Sequence, residues 1–323
     1  MRTRSFGRLG WQVSEVGYGM WGLAGWSQRD DEETQRALQE AVDLGCTFFD
    51  TALAYGDGIS EQMLGSLVRA NPGRGLIVAS KIPPKNRQWP SRRGTPIAEV
   101  FPADYIRQSV EASLTHLGMS SMDLIQFHVW EEAWATDPNW QKTIEQLKQE
   151  GLIRGVGLSL NRWEPENGIQ TLRTGLIDAV QVIYNIFDQA PEDNLFPICD
   201  ELQVAVIARV PFDEGSLTGT LTKNSCWPEG DWRNSYFVKE NLEATVDRVE
   251  QLRPELPESM SMPEMALRFI LSHRTVSTVI PGMRKRNHVQ ANLAASEHGP
   301  LSEELLGRLR LHRWDRQPTS WSQ

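Results

Sequence analysis

The chain has 323 residues, 40% of them hydrophobic and 23% charged, the balance of an ordinary soluble globular protein. Its 33 Lys and Arg stand against 42 Asp and Glu, a formal charge of −9, which argues against a nucleic-acid binder dependent on a basic face. No apolar run approaches the ~20 residues of a membrane span; no apolar segment of the secretory kind follows Met-Arg-Thr-Arg-Ser-Phe-Gly-Arg, and Cys46, Cys199 and Cys226 form neither a disulfide framework nor a zinc pattern, so a cytoplasmic protein with free thiols and no metal is expected.

Residues 3–9 read as a short strand entering a hairpin at Gly10. Short β-branched or apolar runs then give eight strand candidates: Val13–Tyr18, Thr47–Asp50, Leu76–Lys81, Asp123–His128, Gly155–Leu158, Ala179–Val182, Val204–Ala208 and Thr278–Ile280. Helical patterns alternate with them. Asp31–Leu44 has acidic residues in its first turn and Gly45 just past its end, and Ser60–Ala70 and Pro102–Leu117 follow, the latter bounded by proline and Gly118. Trp140–Glu150, Trp163–Thr174, Asn194–Leu202, Met262–Ser272 and Arg286–Ala294 complete the series. Residues 213–255 form an excursion holding a predicted helix at Asn241–Arg253, and Leu301–His312 reads as a C-terminal helix.

Strand–helix alternation with near-continuous apolar strands predicts a parallel sheet covered by helices. Eight units, with no G-x-G-x-x-G after the first strand, favour a closed (β/α)8 barrel over an open doubly wound sheet. The expected class is therefore α/β, a TIM barrel with an N-terminal β-hairpin and extra helices, with residues 1–323 as a single domain.

Barrel chemistry sits at the C-terminal strand ends. Here those ends carry Gly19, Met20 and Trp21, then Asp50, Lys81, His128, Ser159 with Asn161, Gln181, Arg209, and Pro281 with Gly282. Taken singly, Asp50 reads as a turn cap, Lys81 as a rim lysine and His128 as a core histidine. Together they converge on one face. Tyr55, five residues past Asp50, can fold over the same spot. A phenol is a poor acid at pH 7 until a cation stabilises its phenolate; Lys81 can supply the cation, Asp50 can hold it charged and in place, and His128 can hydrogen-bond a carbonyl oxygen or relay a proton. Such a group donates a proton to an oxygen gaining charge, which suits carbonyl reduction with hydride from elsewhere.

Phe-Phe-Asp50-Thr-Ala-Leu-Ala-Tyr55-Gly, Ala-Ser-Lys81 and Gln-Phe-His128 resemble the catalytic tetrad of the aldo-keto reductase superfamily, in the same order and at the same strand ends. The resemblance implies NADP(H) bound without a Rossmann fold, Tyr55 as general acid/base, Lys81 and Asp50 tuning it, and His128 orienting the carbonyl. Gly157-Leu-Ser159-Leu-Asn161 is similar to the family's G-V-S-N run, with Leu160 inserted, and Gln181 matches the third carboxamide contact. Gly19, Met20, Trp21 and Gly282 fall at strand ends that the resemblance turns toward the cofactor. Arg209 stands where many members carry an aromatic residue that stacks on the nicotinamide, and a guanidinium plane can also stack. Pro211, Leu217 and Gly219 resemble the pyrophosphate loop.

Gly282-Met-Arg284-Lys-Arg-Asn-His288-Val-Gln-Ala-Asn292 is similar to the adenosine-phosphate motif, His288 replacing the usual glutamine or arginine. Three basic residues at a helix N-terminus oppose the helix dipole but suit a 2′-phosphate, so NADP(H) is expected over NAD(H). Arg284 is the best match and Asn292 the adenine contact. The alternative for this run is a solvated basic face.

Among Trp21, Trp26, Trp89, Trp130, Trp227 and Trp232, the two that follow strand ends, Trp21 and Trp130, are the expected walls of a small-molecule carbonyl pocket. Two rival readings use the same chain. A Schiff-base aldolase would use Lys81, which Asp50 opposes by keeping the lysine protonated. A cofactor-binding regulatory subunit would bind NADPH and turn over little. The pattern specifies no oligomeric state.

Overall fold

A computed structural model describes residues 1–23, 31–317 and 319; Trp26 lies outside them. Strands β1 (Thr3–Phe6) and β2 (Trp11–Ser14) form an antiparallel hairpin. The eight-stranded parallel sheet takes β3 (Tyr18–Gly19), β4 (Phe48–Asp50), β5 (Ile77–Ile82), β6 (Met122–Phe127), β7 (Ile153–Ser159), β8 (Ala179–Ile183), β9 (Ala205–Arg209) and β10 (Val276–Val279) in sequence order. Parallel bridges from Val16 to Val279 and from Gly19 to Gly282 join the first strand to the last, so the expected barrel forms. A Cβ on Gly19 would sit 2.7 Å from the Ile280 carbonyl oxygen, so only glycine lets this seam close as it does.

Two expected elements come out differently. The run Val13–Tyr18 is not one strand. Val13 belongs to the hairpin, while Glu15 is held by Arg2 and Arg4, each at 2.8 Å, where the chain passes from hairpin to barrel. The helix expected over Trp163–Thr174 is reduced to Ile169–Arg173. Trp163 adopts a φ of 58°, and Pro165 disfavours helical geometry at the residue before it.

Side chains alternate along a strand, so the bore is read in steps of two. Phe48, Ala79, Leu124, Ala179, Ala205 and Ile207 form the apolar floor with Phe6 and Val13 of the hairpin. Phe6 stacks on Phe48 at 5.4 Å and plugs the N-terminal end. Two residues beyond four of these floor positions lie Asp50, Lys81, Gln126 and Gln181, and two beyond Ile207 lies Arg209. The periodicity that fills the core thus delivers a polar layer to the open end. Outside the bore, Phe49, Val78, Ile125, Val156, Val180 and Val206 pack against the surrounding helices.

Candidate active site

Lys81 is the centre of the polar layer and is fully buried. Its ammonium forms an ion pair with Asp50 Oδ1, donates to the Thr51 carbonyl at 2.8 Å, and lies 3.3 Å from the Tyr55 hydroxyl. Three of the four expected tetrad members are thereby in direct contact. The fourth, His128, sets its ring edge-on to Tyr55 with centroids 5.7 Å apart. Tyr55 reaches this point because the loop after β4 turns tightly: Tyr55 N donates to the Ala52 carbonyl at 3.0 Å and Gly58 N to the Leu53 carbonyl at 3.0 Å.

Asp50 is secured from its other oxygen. Gln126 and Gln181 both donate to Oδ2, at 3.0 and 2.8 Å, and Gln181 also donates to Gln126 at 3.2 Å. Gln126 was not expected from the sequence. The signal that finds it is bore parity, two residues past Leu124 and two before His128.

The surroundings set the charge states. Burial pushes the Lys81 ammonium toward losing its proton, but Asp50 and Tyr55 outweigh that and hold its pKa above the ordinary lysine value. Burial raises the Tyr55 phenol; Lys81 and, more weakly, Arg209 pull it back without cancelling the rise. His128 is pushed well below the usual imidazole range by burial and by the charges of Lys81 and Arg209. At neutral pH the centre holds a phenol, an ammonium and a neutral imidazole, whose buried Nδ1 has no hydrogen-bond partner among the described residues.

Above it opens a cavity of about 360 Å³ lined by Tyr55, His128, Ser159, Asn161, Gln181 and Arg209 on the barrel side and by Trp89, Trp232 and Tyr236 among the loops. The two expected tryptophan walls are not its lining. Trp130 is fully buried among Phe127, Trp134 and Trp140 and donates to Thr171 Oγ1 at 2.8 Å, because β6 ends at Phe127 and the chain bends outward after His128. Trp21 is 48% exposed and instead packs edge-on against Trp232, centroids 5.4 Å apart. Trp89 meets His128 edge-on at 4.6 Å and so takes the wall position.

Apart from Gly19, Met20 and Trp21, the expected cofactor residues fall into three places. Ser159, Asn161, Gln181 and Arg209 share the cavity, although the Asn161 amide NH2 is occupied by Ser91 Oγ at 2.8 Å and by the Trp130 carbonyl at 3.0 Å, and that of Gln181 by Asp50. Pro211, Leu217 and Gly219 lie in the loop after β9, where Leu217 is fully buried and Gly219 has a φ of 73°. This loop carries two carboxylates, each matched by an arginine from elsewhere: Asp213 takes Arg316 at 2.7 Å, and Glu214 pairs with Arg162. Gly282, Arg284, His288 and Asn292 lie around the start of helix Arg286–His298, with Arg284 exposed and Asn292 buried. Met20 does not face an opening. Its side chain is fully buried and its N–H donates to the Asp50 carbonyl at 2.9 Å.

With the geometry in view, similarity to known proteins narrows the reading. A model of the Aldo/keto reductase family matches residues 15–313. The chain belongs to that family. It is 30% identical to the uncharacterized oxidoreductase YqkF of Bacillus subtilis, covering 97% of this chain and 96% of that one. It is 28% identical to the NADH-specific methylglyoxal reductase of Escherichia coli, over 88% of this chain and 90% of that one. Among solved structures, the aldo-keto reductase AKR11C1 from Bacillus halodurans in its holo form superposes over 100% of both chains with a TM-score of 0.77 and 28% identity.

In this aldo/keto reductase the described residues contain no helix long and apolar enough to cross a membrane, and no cluster of three or more His, Cys, Asp or Glu able to hold a metal. Cys46 and Cys199 are buried free thiols, and Cys226 is exposed.

Proposed function

We propose that the protein reduces an aldehyde or ketone to the alcohol, reversibly, with NADPH preferred over NADH and residues 1–323 acting as one unit. The observation that carries this reading is the Tyr55 hydroxyl, 3.3 Å from a buried ammonium and facing an open cavity. A bound reduced nicotinamide supplies the hydride. The Tyr55 O–H donates its proton to the carbonyl oxygen, and the Lys81 ammonium stabilises the phenolate left behind. Asp50, anchored by Gln126 and Gln181, keeps Lys81 charged and in place. The neutral His128 ring hydrogen-bonds the substrate oxygen and fixes its approach to Tyr55. A raised Lys81 pKa opposes the aldolase alternative, since a Schiff base needs the free amine.

The chain has groups to hold the cofactor. Ser159, Asn161, Gln181 and Arg209 would bound the nicotinamide, and Pro211, Leu217 and Gly219 the pyrophosphate. Arg284, His288 and Asn292 would receive the adenosine end. The E. coli relative is NADH-specific, so family membership does not decide the nucleotide. The preference proposed here rests on the basic residues before helix Arg286–His298. Of these, Arg284 is the residue proposed to meet the phosphate, while Arg286 pairs with Glu40 at 2.5 Å.

Titrating tryptophan fluorescence with NADPH and separately with NADH tests the cofactor, and Tyr55→Phe tests the chemistry. Expected are tighter NADPH than NADH binding and a loss of aldehyde reduction by a factor of about 10² or more in Tyr55→Phe, with NADPH affinity retained. A Tyr55→Phe enzyme that keeps most of its turnover would overturn the assignment.

A further inference from the structure

The cavity above Tyr55 has an uneven charge. Among the described residues its lining contains Arg162 and Arg209 and no aspartate or glutamate, in a chain whose net charge is −9. Arg162 is matched by Glu214. Arg209 has no ion pair among the described residues. Its Nη2 donates to the Leu160 carbonyl at 3.0 Å and its Nε is buried without a hydrogen-bond partner among the described residues. The only carboxylate of the polar layer below, Asp50, is already shared by Lys81, Gln126 and Gln181. Burial and the adjacent Arg162 pull the Arg209 guanidinium down to about 10, so it remains a cation at neutral pH.

A buried guanidinium at the wall of a cavity with no carboxylate in direct contact, only Glu214 and Asp50 acting from farther away, gains from an anion that reaches it, and its planar fork matches a carboxylate. We infer that Arg209 forms an anion subsite of the reaction cavity and that the preferred substrates are carbonyl compounds carrying a carboxylate. This rests on the carbonyl-reductase reading of the Tyr55 centre. The carboxylate takes no part in the chemistry: hydride goes to the carbonyl carbon, the Tyr55 proton to its oxygen, and the acid group is unchanged. Stacking of Arg209 on a nicotinamide would use the flat face of the guanidinium, whereas an anion uses its N–H edge, so the two roles are compatible. Trp89, Trp232 and Tyr236 give the rest of the cavity an aromatic wall, so an aryl aldehyde is a suitable probe.

The experiment compares 4-carboxybenzaldehyde with 4-methylbenzaldehyde, similar in size, using NADPH and the wild type, Arg209→Met and Arg209→Lys. The wild type should favour the carboxylated aldehyde by tenfold or more in kcat/KM. That ratio should fall at least tenfold in Arg209→Met, whatever loss both substrates share, and recover in part in Arg209→Lys. An equal or reversed wild-type preference, with both aldehydes reduced, overturns the anion subsite and leaves the carbonyl reading standing. A wild type that binds NADPH and reduces no aldehyde overturns the carbonyl reading itself. An unchanged ratio with weakened NADPH binding in Arg209→Met assigns the anion to the cofactor's phosphates and overturns the substrate claim. Should Arg209→Met reduce neither aldehyde, the affinity for unreactive 4-methylbenzoate, read by tryptophan fluorescence, decides: a tenfold weakening against wild type supports the subsite, and equal affinity overturns it. Arg209→Gln gives the same comparison if the methionine variant does not fold.

Discussion

Gln181 reaches Asp50 from the far side of the barrel, donating to Oδ2 at 2.8 Å from a strand four places away in the eight-stranded sheet. The carboxylate beside Lys81 is therefore braced across the full width of the bore, with Gln126 at 3.0 Å as the second strut. Gln126→Leu removes one strut without touching the cavity lining. The expected cost is about 1–3 kcal/mol of stability, together with roughly a tenfold fall in kcat/KM from a less well-placed Lys81. NADPH affinity should hold. Thermal unfolding and steady-state kinetics on one preparation check all three.

The depressed pKa of His128 fixes the sign of a pH effect. The folded protein keeps this imidazole neutral well below 6.5, whereas the unfolded chain protonates it at about 6.5. Below that pH the unfolded state binds more protons, so stability falls with acidification through this window and is insensitive to His128 above it. Denaturant unfolding at pH 7.5 and 5.0 should show a smaller difference in His128→Gln than in the wild type.

Neighbouring basic residues should behave differently. Arg284→Ala is expected to weaken NADPH at least tenfold more than NADH, because a lost contact to a 2′-phosphate affects one nucleotide alone. Arg286 is tied to Glu40 of helix Asp31–Asp43, so Arg286→Ala should change the two affinities equally and slightly. Fluorescence titrations of the two variants with both nucleotides provide the check.

Trp130 and Trp89 separate packing from recognition. Trp130→Ala empties a fully buried aromatic cluster and should cost about 3–5 kcal/mol. Trp89 is 43% exposed and faces His128, so Trp89→Ala should leave the melting temperature within a few degrees of wild type while shifting KM for aryl aldehydes severalfold.

The contrast between those two residues also shows what the sequence carries. Strand ends are visible as apolar runs that stop at a polar residue, which is why Asp50, Lys81, His128, Gln181 and Arg209 could be named in advance. Tyr55 followed from its distance to Asp50 and from resemblance. Loop paths have no such period. Trp130 looks like a pocket wall because it follows a strand end, but the chain turns outward there, and Trp89 enters from a loop with no periodic signal. Gln126 lay in plain view one step inside His128, hidden because it reads as strand interior. Arg316, near the end of the chain and bound to Asp188 and Asp213, depends on a contact across more than 100 positions that no local pattern records.

The bridges from Val16 to Val279 and from Gly19 to Gly282 carry a consequence for biosynthesis. A chain growing on the ribosome can pair its middle strands as they emerge, but the ring has no last stave until Val276–Gly282 has left the exit tunnel. During that interval β3 and β10 would be open edges, the kind of strand that recruits neighbours into aggregates. Closure is the latest and most non-local event in the topology, and such pairings are slow. Expression at lowered temperature, or with chaperones that shield nascent strands, should therefore raise the soluble yield of seam variants such as Gly19→Ala more than that of variants in the middle of the sheet.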